Sequence, residues 1–151
     1  MTLQVRQRQS GDDRFIGRLA AQAFAEYDGQ PGVTMQRLIQ RGTTWVAFRS
    51  DRPVGFATVV PLNQVSVDLC AIAVDEDARG VGIGRALLAH VELAALRAGL
   101  KEIRLHTAQS NLSALELFLK CGFRLERSMP RFYRGVYDAC SLSKPLDARR
   151  P

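Results

Sequence analysis

Three glycines alternate with single residues between Arg79 and Arg85, where a predicted strand leads into a predicted helix: Arg79-Gly80-Val81-Gly82-Ile83-Gly84-Arg85. Because glycine lacks a side chain, several backbone N–H groups can approach one ligand, and the start of a helix adds the positive end of its dipole. Such a turn suits a pyrophosphate group. A glycine-rich turn without any ligand would have the same composition, so the glycines alone leave both interpretations open.

Two common phosphate-binding motifs do not fit this stretch. The dinucleotide fingerprint G-x-G-x-x-G/A would place its last small residue at Arg85 when counted from Gly80, or at Leu87 when counted from Gly82. A P-loop ends in Gly-Lys-Ser/Thr, whereas this turn continues as Gly-Arg-Ala. Sites for dinucleotides and for ATP are therefore disfavoured.

The turn fits the pattern R/Q-x-x-G-x-G/A, and at this point the chain resembles the GNAT family of N-acetyltransferases. The preceding Ile72-Ala73-Val74 is similar to the end of that family's fourth strand. Further on, Asn111-x-x-Ala114-x-x-Leu117-Phe118-x-x-x-Gly122-Phe123 is similar to the family's second motif, and one strand separates the two motifs as expected. Each motif alone is weak evidence, but the pair in this order is specific.

The resemblance implies a fold of the α/β class in which helices and strands are mixed (α+β). Its central sheet is mixed but mostly antiparallel, has six to seven strands, and is splayed between strands four and five. About four helices flank this sheet. We expect a single acetyltransferase domain over residues 1–146 and a loose C-terminal tail over residues 147–151.

The resemblance also implies acetyl-CoA as the cosubstrate, with its pantetheine arm between the splayed strands and against the backbone of Ile72, Ala73 and Val74. A backbone N–H there would polarise the thioester carbonyl, which is worth about 2–4 kcal/mol. Asn111 would bind the pantetheine arm with its side-chain amide while also capping a helix. Phe118 belongs to the same expected cofactor contacts. The pyrophosphate would lie on the turn residues Arg79, Gly80, Gly82, Ile83, Gly84 and Arg85.

A catalytic base must accept the proton of the attacking amine, often through a water molecule. Many family members have Glu four residues before the isoleucine of the Ile-Ala-Val segment, and Asp68 has that position here. The aspartate side chain is one methylene shorter, so a relaying water would be more necessary. A solvated or ion-paired aspartate on the sheet is the alternative interpretation.

The catalytic acid is harder to assign. Many relatives have tyrosine where this chain has Phe118, and phenylalanine cannot donate a proton. Tyr133 or Tyr137 could replace it if the C-terminal segment folds back over the site, although packing or substrate contact would also explain Tyr133. Because a thiol has an ordinary pKa of about 8.5, the thiolate is a fair leaving group and an acid is dispensable.

The acceptor amine stays open at this stage. The segment 131–139 is similar to segments of protein N-terminal acetyltransferases, including those that act on ribosomal-protein alanines, which implies a peptide α-amine. Phe118 argues against a simple transfer of that function, and small amines remain candidates. Glu26, Tyr27 and Asp28 could attract a cationic amine or could form an exposed helix end. A non-catalytic acyl-CoA-binding regulatory domain is the alternative function.

The periodicity of apolar residues predicts the elements that position these groups. Alternation at 65–71 predicts that Val65, Val67, Leu69 and Ala71 share one buried face and that Ser66, Asp68 and Cys70 share the polar one. Buried positions are expected at Leu87, Leu88, Val91 and Ala95 in one helix, and at Leu115, Phe118 and Leu119 in another. Strands are predicted at 3–6, 43–49, 54–60, 65–74, 102–107, from 123 onward and at 136–143. Helices are predicted from a capping box at Ser10 and Asp13, at 34–40, at 82–98, and from Asn111 to Gly122.

Composition narrows the function further. The net charge of +6 and the isoelectric point near 9.8 favour a polyanionic partner, either a phosphorylated cofactor or nucleic acid. The basic residues are scattered apart from Arg149-Arg150, and no nucleic-acid-binding module is present, so the first is preferred. No apolar run is long enough for a membrane span, and we expect a cytoplasmic protein. Pairing of edge strands makes a homodimer conceivable.

The cysteines and histidines predict no metal site. Cys70, Cys121 and Cys140 form no CxxC pair, and their odd number argues against a disulfide framework. Their apolar surroundings predict buried structural thiols. His90 and His106, the two histidines, lie far apart in the sequence, so no zinc-binding constellation is expected.

Overall fold

A seven-stranded sheet forms the centre of the protein. The computed structural model describes residues 2–147, and the sheet order in it is β1-β2-β3-β4-β5-β7-β6. Among the strands of this described part, only the β4–β5 pair is parallel. This confirms the predicted mixed, mostly antiparallel sheet; residues 148–151 of the expected tail lie outside the described residues. The strands are β1 (Leu3–Gln7), β2 (Thr43–Arg49), β3 (Arg52–Pro61), β4 (Ser66–Val74), β5 (Glu102–Ala108), β6 (Arg124–Tyr133) and β7 (Tyr137–Pro145).

Two pairs of helices cover the two faces of the sheet, each over its own core. The core under the first pair contains Phe15, Ile16 and Met35, and the core under the second contains Leu87, Leu88, Val91 and Ala95. The four positions predicted to be buried in the long helix are therefore confirmed. The helices are α1 (Asp13–Phe24) and α2 (Pro31–Arg41) on one face, and α3 (Ile83–Arg97) and α4 (Leu112–Lys120) on the other.

The parallel strands β4 and β5 separate soon after they begin to pair. Their register contains only Ser66–Glu102, Val67–Ile103 and Asp68–Arg104. Beyond Asp68 each strand keeps its other neighbour: β4 continues along β3, and β5 pairs with β7 over its whole length. The sheet is therefore splayed between strands four and five, as expected.

A β-bulge at Cys70 reverses the faces of β4. Thr58 pairs with Ala71 but the next residue, Val59, pairs with Leu69, so β4 has one extra residue between them. Because of this bulge, Leu69 packs in the core under α3 and α4, whereas Ala71 packs in the core under α1 and α2. The predicted common face for these residues is therefore wrong beyond the bulge.

Other local predictions also need correction. At the start of β4, Ser66 is buried and its hydroxyl donates to Glu102 (3.3 Å), whereas Val65 is 45% exposed. Leu119 is 53% exposed because the buried side of α4 is centred on Phe118. The capping box involves Gln9 and Asp12 instead of Ser10 and Asp13, since a 3-10 turn precedes α1. Helix α2 begins three residues early, at Pro31, whose fixed φ suits the first helical position.

Gly42 provides a test of the contact between α2 and the sheet. A Cβ atom at Gly42 would overlap with the backbone carbonyl of Val59 in β3. We expect Gly42→Ala to lower the free energy of unfolding by about 1–3 kcal/mol because a strand or the end of α2 must move. Urea denaturation followed by circular dichroism measures this change.

Gly17 in α1 is the matched control, since a Cβ there meets no atom within 4 Å. Gly17→Ala should stabilise the protein by about 0.5–1 kcal/mol because alanine favours the helix. Equal stability of Gly42→Ala and the wild type would contradict the close contact.

Candidate active site

A cavity of about 370 Å³ lies where β4 and β5 separate. Its wall includes residues 68–72 of β4 and residues 105–108 of β5, together with side chains from α1 and α2 on one face and from α4 on the other. The cavity therefore reaches both faces of the sheet through the gap. Five residues predicted from the sequence line it: Asp68, Ile72, Asn111, Phe118 and Tyr133.

The remaining predicted cofactor residues lie outside this cavity. Ala73 is buried in the core under α1 and α2, and Val74 packs against the core under α3 and α4. The turn that follows β4 is exposed from Arg79 to Gly82, and the Ile83 side chain is buried at the start of α3. The predicted residues thus form two groups: those of the cavity, and those of the end of β4 and the glycine-rich turn that follows it.

Positive φ angles alternate along the glycine-rich turn. Gly80 has φ +85° and Gly82 has φ +88°, and Gly82 caps the N-terminus of α3. Residues of alternating handedness turn their N–H groups into anion-binding concavities, and a helix start adds its own free N–H groups. A Cβ at Gly80 or Gly82 would meet no atom within 4 Å, so the space beside both is open. The turn therefore has the backbone geometry that a phosphate group requires.

The other residues of this turn hold it in place. The Arg79 guanidinium donates from Nε to the Val74 carbonyl (3.2 Å), which ties the turn to the end of β4. Gly84 faces α4, where a Cβ would lie 3.0 Å from the Leu117 side chain, so this glycine permits close helix packing. Arg85 is exposed beside an open cleft that Lys120 and Arg124 also line.

Asn111 lies at the start of α4 and in the wall of the cavity. It caps α4: its Oδ1 atom accepts hydrogen bonds from the Ala114 N–H and the Ser113 hydroxyl, both at 3.3 Å. The side chain also lines the cavity. Since the oxygen is used by the cap, the amide NH₂ is the group that can donate to a ligand.

Asp68 is half-buried and accepts a hydrogen bond from the Cys70 thiol (Sγ–Oδ2 3.3 Å). Burial, and secondarily the negative charge of Asp68, raises the pKa of Cys70 to about 12. The thiol is therefore protonated at neutral pH and acts as a donor to the carboxylate. The prediction of buried thiols is right for Cys140, whereas Cys70 and Cys121 are half-buried and Cys70 lines the cavity.

Tyr133 lies at the end of β6, where the tip of the β6–β7 hairpin contacts the loop between α1 and α2. Its ring lies 5.4 Å from the Tyr27 ring and 6.1 Å from the His106 ring. Burial is the largest cause that raises the pKa of Tyr133, and the nearby Cys140, Tyr27 and Asp68 add to it. The phenol consequently keeps its proton at neutral pH. Tyr137 instead packs edge-on against Tyr27, at 5.3 Å.

Sequence reasoning missed several residues of this cavity. His106 lines it from β5, where the alternation with buried Ile103 and Leu105 could have indicated a side chain on the face of α1 and α2. In the α1–α2 region, Tyr27 and Asp28 were already candidates for contact with a cationic amine, and both line the cavity. No local pattern indicated the others, because packing across the sheet brings them to the cavity. They are Phe24, Pro31, Thr34, Met35 and Leu38.

Comparison with known proteins assigns the family. A sequence model of the Acetyltransferase (GNAT) family matches residues 14–123, and the chain belongs to this family. The chain is 28% identical over 100 residues to the uncharacterized N-acetyltransferase YvbK of Bacillus subtilis (strain 168). The aligned region covers 66% of this chain and 64% of that protein. Two further curated relatives are matched over less than half of their length.

Solved structures share the fold. The ribosomal-protein-S18-alanine N-acetyltransferase from Escherichia coli superposes with a TM-score of 0.84 at 21% identity, over 99% of this chain and 97% of that one. A GNAT family acetyltransferase from Elizabethkingia anophelis, solved with acetyl-CoA bound, gives 0.81 at 21% identity, over 95% and 98% of the two chains. Within residues 2–147 no cluster of His, Cys, Asp or Glu side chains could hold a metal ion, and no helix is long and apolar enough to span a membrane.

The raised pKa of Cys70 predicts a pH-dependent contribution to stability. An unfolded thiol releases its proton near pH 8.5, whereas folded Cys70 holds it until about pH 12. Rising pH between these values therefore favours the unfolded state, and this contribution is fully present only below about pH 8.5. We expect the free energy of unfolding to fall less between about pH 8 and pH 10 in Cys70→Ser than in the wild type.

Denaturant titrations under reducing conditions measure both slopes. Cys121→Ser, which removes a half-buried thiol from the end of α4, controls for the loss of a cysteine outside the cavity. Identical pH slopes for Cys70→Ser and the wild type would show that Cys70 does not hold its proton more tightly in the folded state.

Proposed function

We propose that this protein is an N-acetyltransferase that moves the acetyl group of acetyl-CoA onto a primary amine by direct attack. The observation that carries the proposal is the cavity in the gap between β4 and β5, which has a carboxylate and a protonated phenol in its wall. Membership of the acetyltransferase family supports it. So does the acetyl-CoA-bound structure from Elizabethkingia anophelis, which has the same fold.

The proposed position of acetyl-CoA uses both groups of residues. The pantetheine arm lies along the backbone of residues 72–74, where β4 has left β5, and Asn111 donates its amide to it. The buried Phe118 ring forms the wall beside it. The pyrophosphate lies on the N–H groups of residues 79–85, and the adjacent basic cleft attracts the negative charges of the cofactor.

Asp68 and Tyr133 are the proposed catalytic groups. The amine nitrogen forms a bond to the acetyl carbon as the carbon–sulfur bond breaks. The proton released by the amine passes to Asp68, through a water molecule because the side chain is short, and the phenol of Tyr133 donates a proton to the leaving sulfur. The phenol has a proton to donate at neutral pH because burial raises its pKa. It is a weaker acid than a thiol, so the proton must move to the sulfur while the carbon–sulfur bond breaks.

The acceptor in this proposal is either the N-terminal amine of a protein or peptide, or a small amine. We also propose that the enzyme acts in the cytoplasm, which its three free thiols support. A non-catalytic acyl-CoA-binding domain is the second candidate, favoured by the replacement of the usual tyrosine with Phe118. Binding of acetyl-CoA without turnover on a broad panel of amines would favour that candidate.

Gly82 tests the pyrophosphate site. A valine at this position adds a branched side chain in the open space where the phosphates are proposed to lie, and its positive φ costs about 1–2 kcal/mol of stability. We expect Gly82→Val to weaken acetyl-CoA binding at least about 100-fold, which corresponds to a loss of about 2.7 kcal/mol of binding energy. Calorimetric titration with acetyl-CoA, and with NAD and ATP as control ligands, measures this.

Gly99 is the matched control for backbone strain. It follows the other end of α3, has φ +78°, and a Cβ there also meets no atom within 4 Å. Gly99→Val should lose similar stability but bind acetyl-CoA with wild-type affinity. If both variants lose affinity equally, or neither does, the proposed role of the glycine-rich turn is wrong.

The base is tested by Asp68→Asn. We expect its turnover to fall by about 100-fold or more, with the largest loss at low pH, where little of the amine is neutral. Its affinity for acetyl-CoA should stay close to that of the wild type because the amide keeps the shape of the carboxylate. Initial rates against pH, together with calorimetry, separate these effects.

His106→Gln is measured beside it because His106 also lines the cavity. Normal turnover for Asp68→Asn together with lost turnover for His106→Gln would assign the base to the imidazole. Full activity of both variants across the pH range would place the base elsewhere.

A further inference from the structure

The charge of the cavity wall is opposite to that of the protein. The chain carries a net charge of +6. Among the described residues that line the cavity, however, the charged side chains are two carboxylates, Asp28 and Asp68, and neither lysine nor arginine is present. Arg41, at the end of α2, influences the Cys70 thiol more weakly than Asp68 does and does not line the cavity. A ligand there meets negative charge.

Asp28 is held at the side of the cavity that α1 and α2 form. Its Oδ1 atom accepts a hydrogen bond from the Gln30 N–H (2.8 Å), which fixes the carboxylate in the loop between these helices. Asp68 lies on the sheet, at the point where β4 leaves β5. An ammonium group is attracted by both carboxylates before it loses its proton. A carboxylate on the ligand would be repelled and would find no basic side chain in the wall to offset its lost hydration.

The rest of this side of the cavity is apolar or aromatic. Phe24, Met35 and Leu38 contribute from α1 and α2, and the rings of Tyr27 and Tyr133 contribute from the loop and the hairpin. Burial against such side chains favours a ligand with an apolar body, because apolar surface is removed from water. Aromatic rings also favour a cationic or aromatic ligand.

The elements around this side of the cavity contact each other. Tyr27, in the loop between α1 and α2, packs on both Tyr133 and Tyr137 of the β6–β7 hairpin, and its hydroxyl hydrogen-bonds to Ser110 (3.1 Å). The Arg134 guanidinium donates to the Ala25 carbonyl (3.5 Å). These contacts join the loop to the hairpin and close this side of the cavity, which leaves little room for a long ligand. A volume of about 370 Å³, shared with the acetyl group, suits a compact ligand.

We infer that the acceptor is a compact primary amine with an apolar or aromatic body and no carboxylate next to the amine, and that Asp28 enforces this exclusion. The inference rests on the proposed acetyltransferase function and narrows its substrate class. Free amino acids are excluded by their charge, and longer peptides by the contact between loop and hairpin.

Three matched acceptors test the inference: phenethylamine, phenylalaninamide and phenylalanine. All carry the same phenyl ring at the same distance from the amine, and they differ in having hydrogen, a neutral amide or a carboxylate beside it. Rates are compared at equal concentrations of neutral amine, because the substituent changes the amine pKa. We expect kcat/KM for phenylalanine to be at least about 100-fold below that for phenylalaninamide. A loss of this size corresponds to the free-energy cost of burying a carboxylate that has no charged partner. Similar values for these two would overturn the exclusion.

The variant Asp28→Asn tests the assigned residue. It should raise kcat/KM for phenylalanine relative to phenylalaninamide by about fivefold or more, because one of the two repelling charges is removed. Glu26→Gln removes the same charge from an exposed neighbouring position that does not line the cavity, and it should leave this ratio unchanged. An unchanged ratio in Asp28→Asn, or an equal change in Glu26→Gln, would overturn the assignment to Asp28.

A second panel separates failure of this inference from failure of the proposed function. It contains a hexapeptide with N-terminal phenylalanine, glucosamine and spermidine, and acetyl-CoA binding is measured in parallel. Acetylation of any of these at a higher kcat/KM than phenethylamine would overturn the inference and leave the acetyltransferase function standing. Binding of acetyl-CoA with no turnover of any amine would overturn both and favour the regulatory domain.

Discussion

The separation of β4 from β5 is the constraint on which the rest of the structure depends. Parallel strands normally continue to pair along their length, but here pairing ends at Asp68. The facing backbone groups beyond that point require another partner, either water or a ligand. The separation persists because each strand is held from its other side, β4 by β3 and β5 by β7, and because helices pack on both faces. A gap that would destabilise an ordinary sheet is the place where we propose that the pantetheine arm binds.

The bulge at Cys70 adds a second consequence at the same place. One extra residue in β4 turns Ala71 toward α1 and α2, while Leu69 before it packs toward α3 and α4. It also puts the Cys70 thiol within hydrogen-bonding distance of the Asp68 carboxylate. A thiol that keeps its proton, since burial raises its pKa to about 12, is a neutral donor and leaves the negative charge of Asp68 in the cavity. The bulge therefore shapes the charge as well as the outline of the site.

Local sequence patterns predicted the elements and the glycine-rich turn because the physics behind them is local. Backbone freedom at Gly80 and Gly82 and the cap at Asn111 depend on neighbouring residues, and the structure has both features. The bulge could not be predicted in the same way, because an extra residue in β4 is defined only by its pairing with β3. Tyr27 was considered for its charged neighbours, whereas its contacts with the hairpin depend on residues more than a hundred positions away.

The positive net charge of the chain and the negative charge of the cavity wall match the two substrates that we propose. Positive side chains such as Arg85, Lys120 and Arg124 lie beside the glycine-rich turn, where phosphates are proposed to bind. The carboxylates Asp28 and Asp68 line the cavity, where the amine is proposed to bind. Two substrates of opposite charge can thus be attracted to different faces of one sheet and meet in the gap between its strands. In this proposal the positive charge of the chain attracts the cofactor, and the local negative charge of the cavity attracts the acceptor.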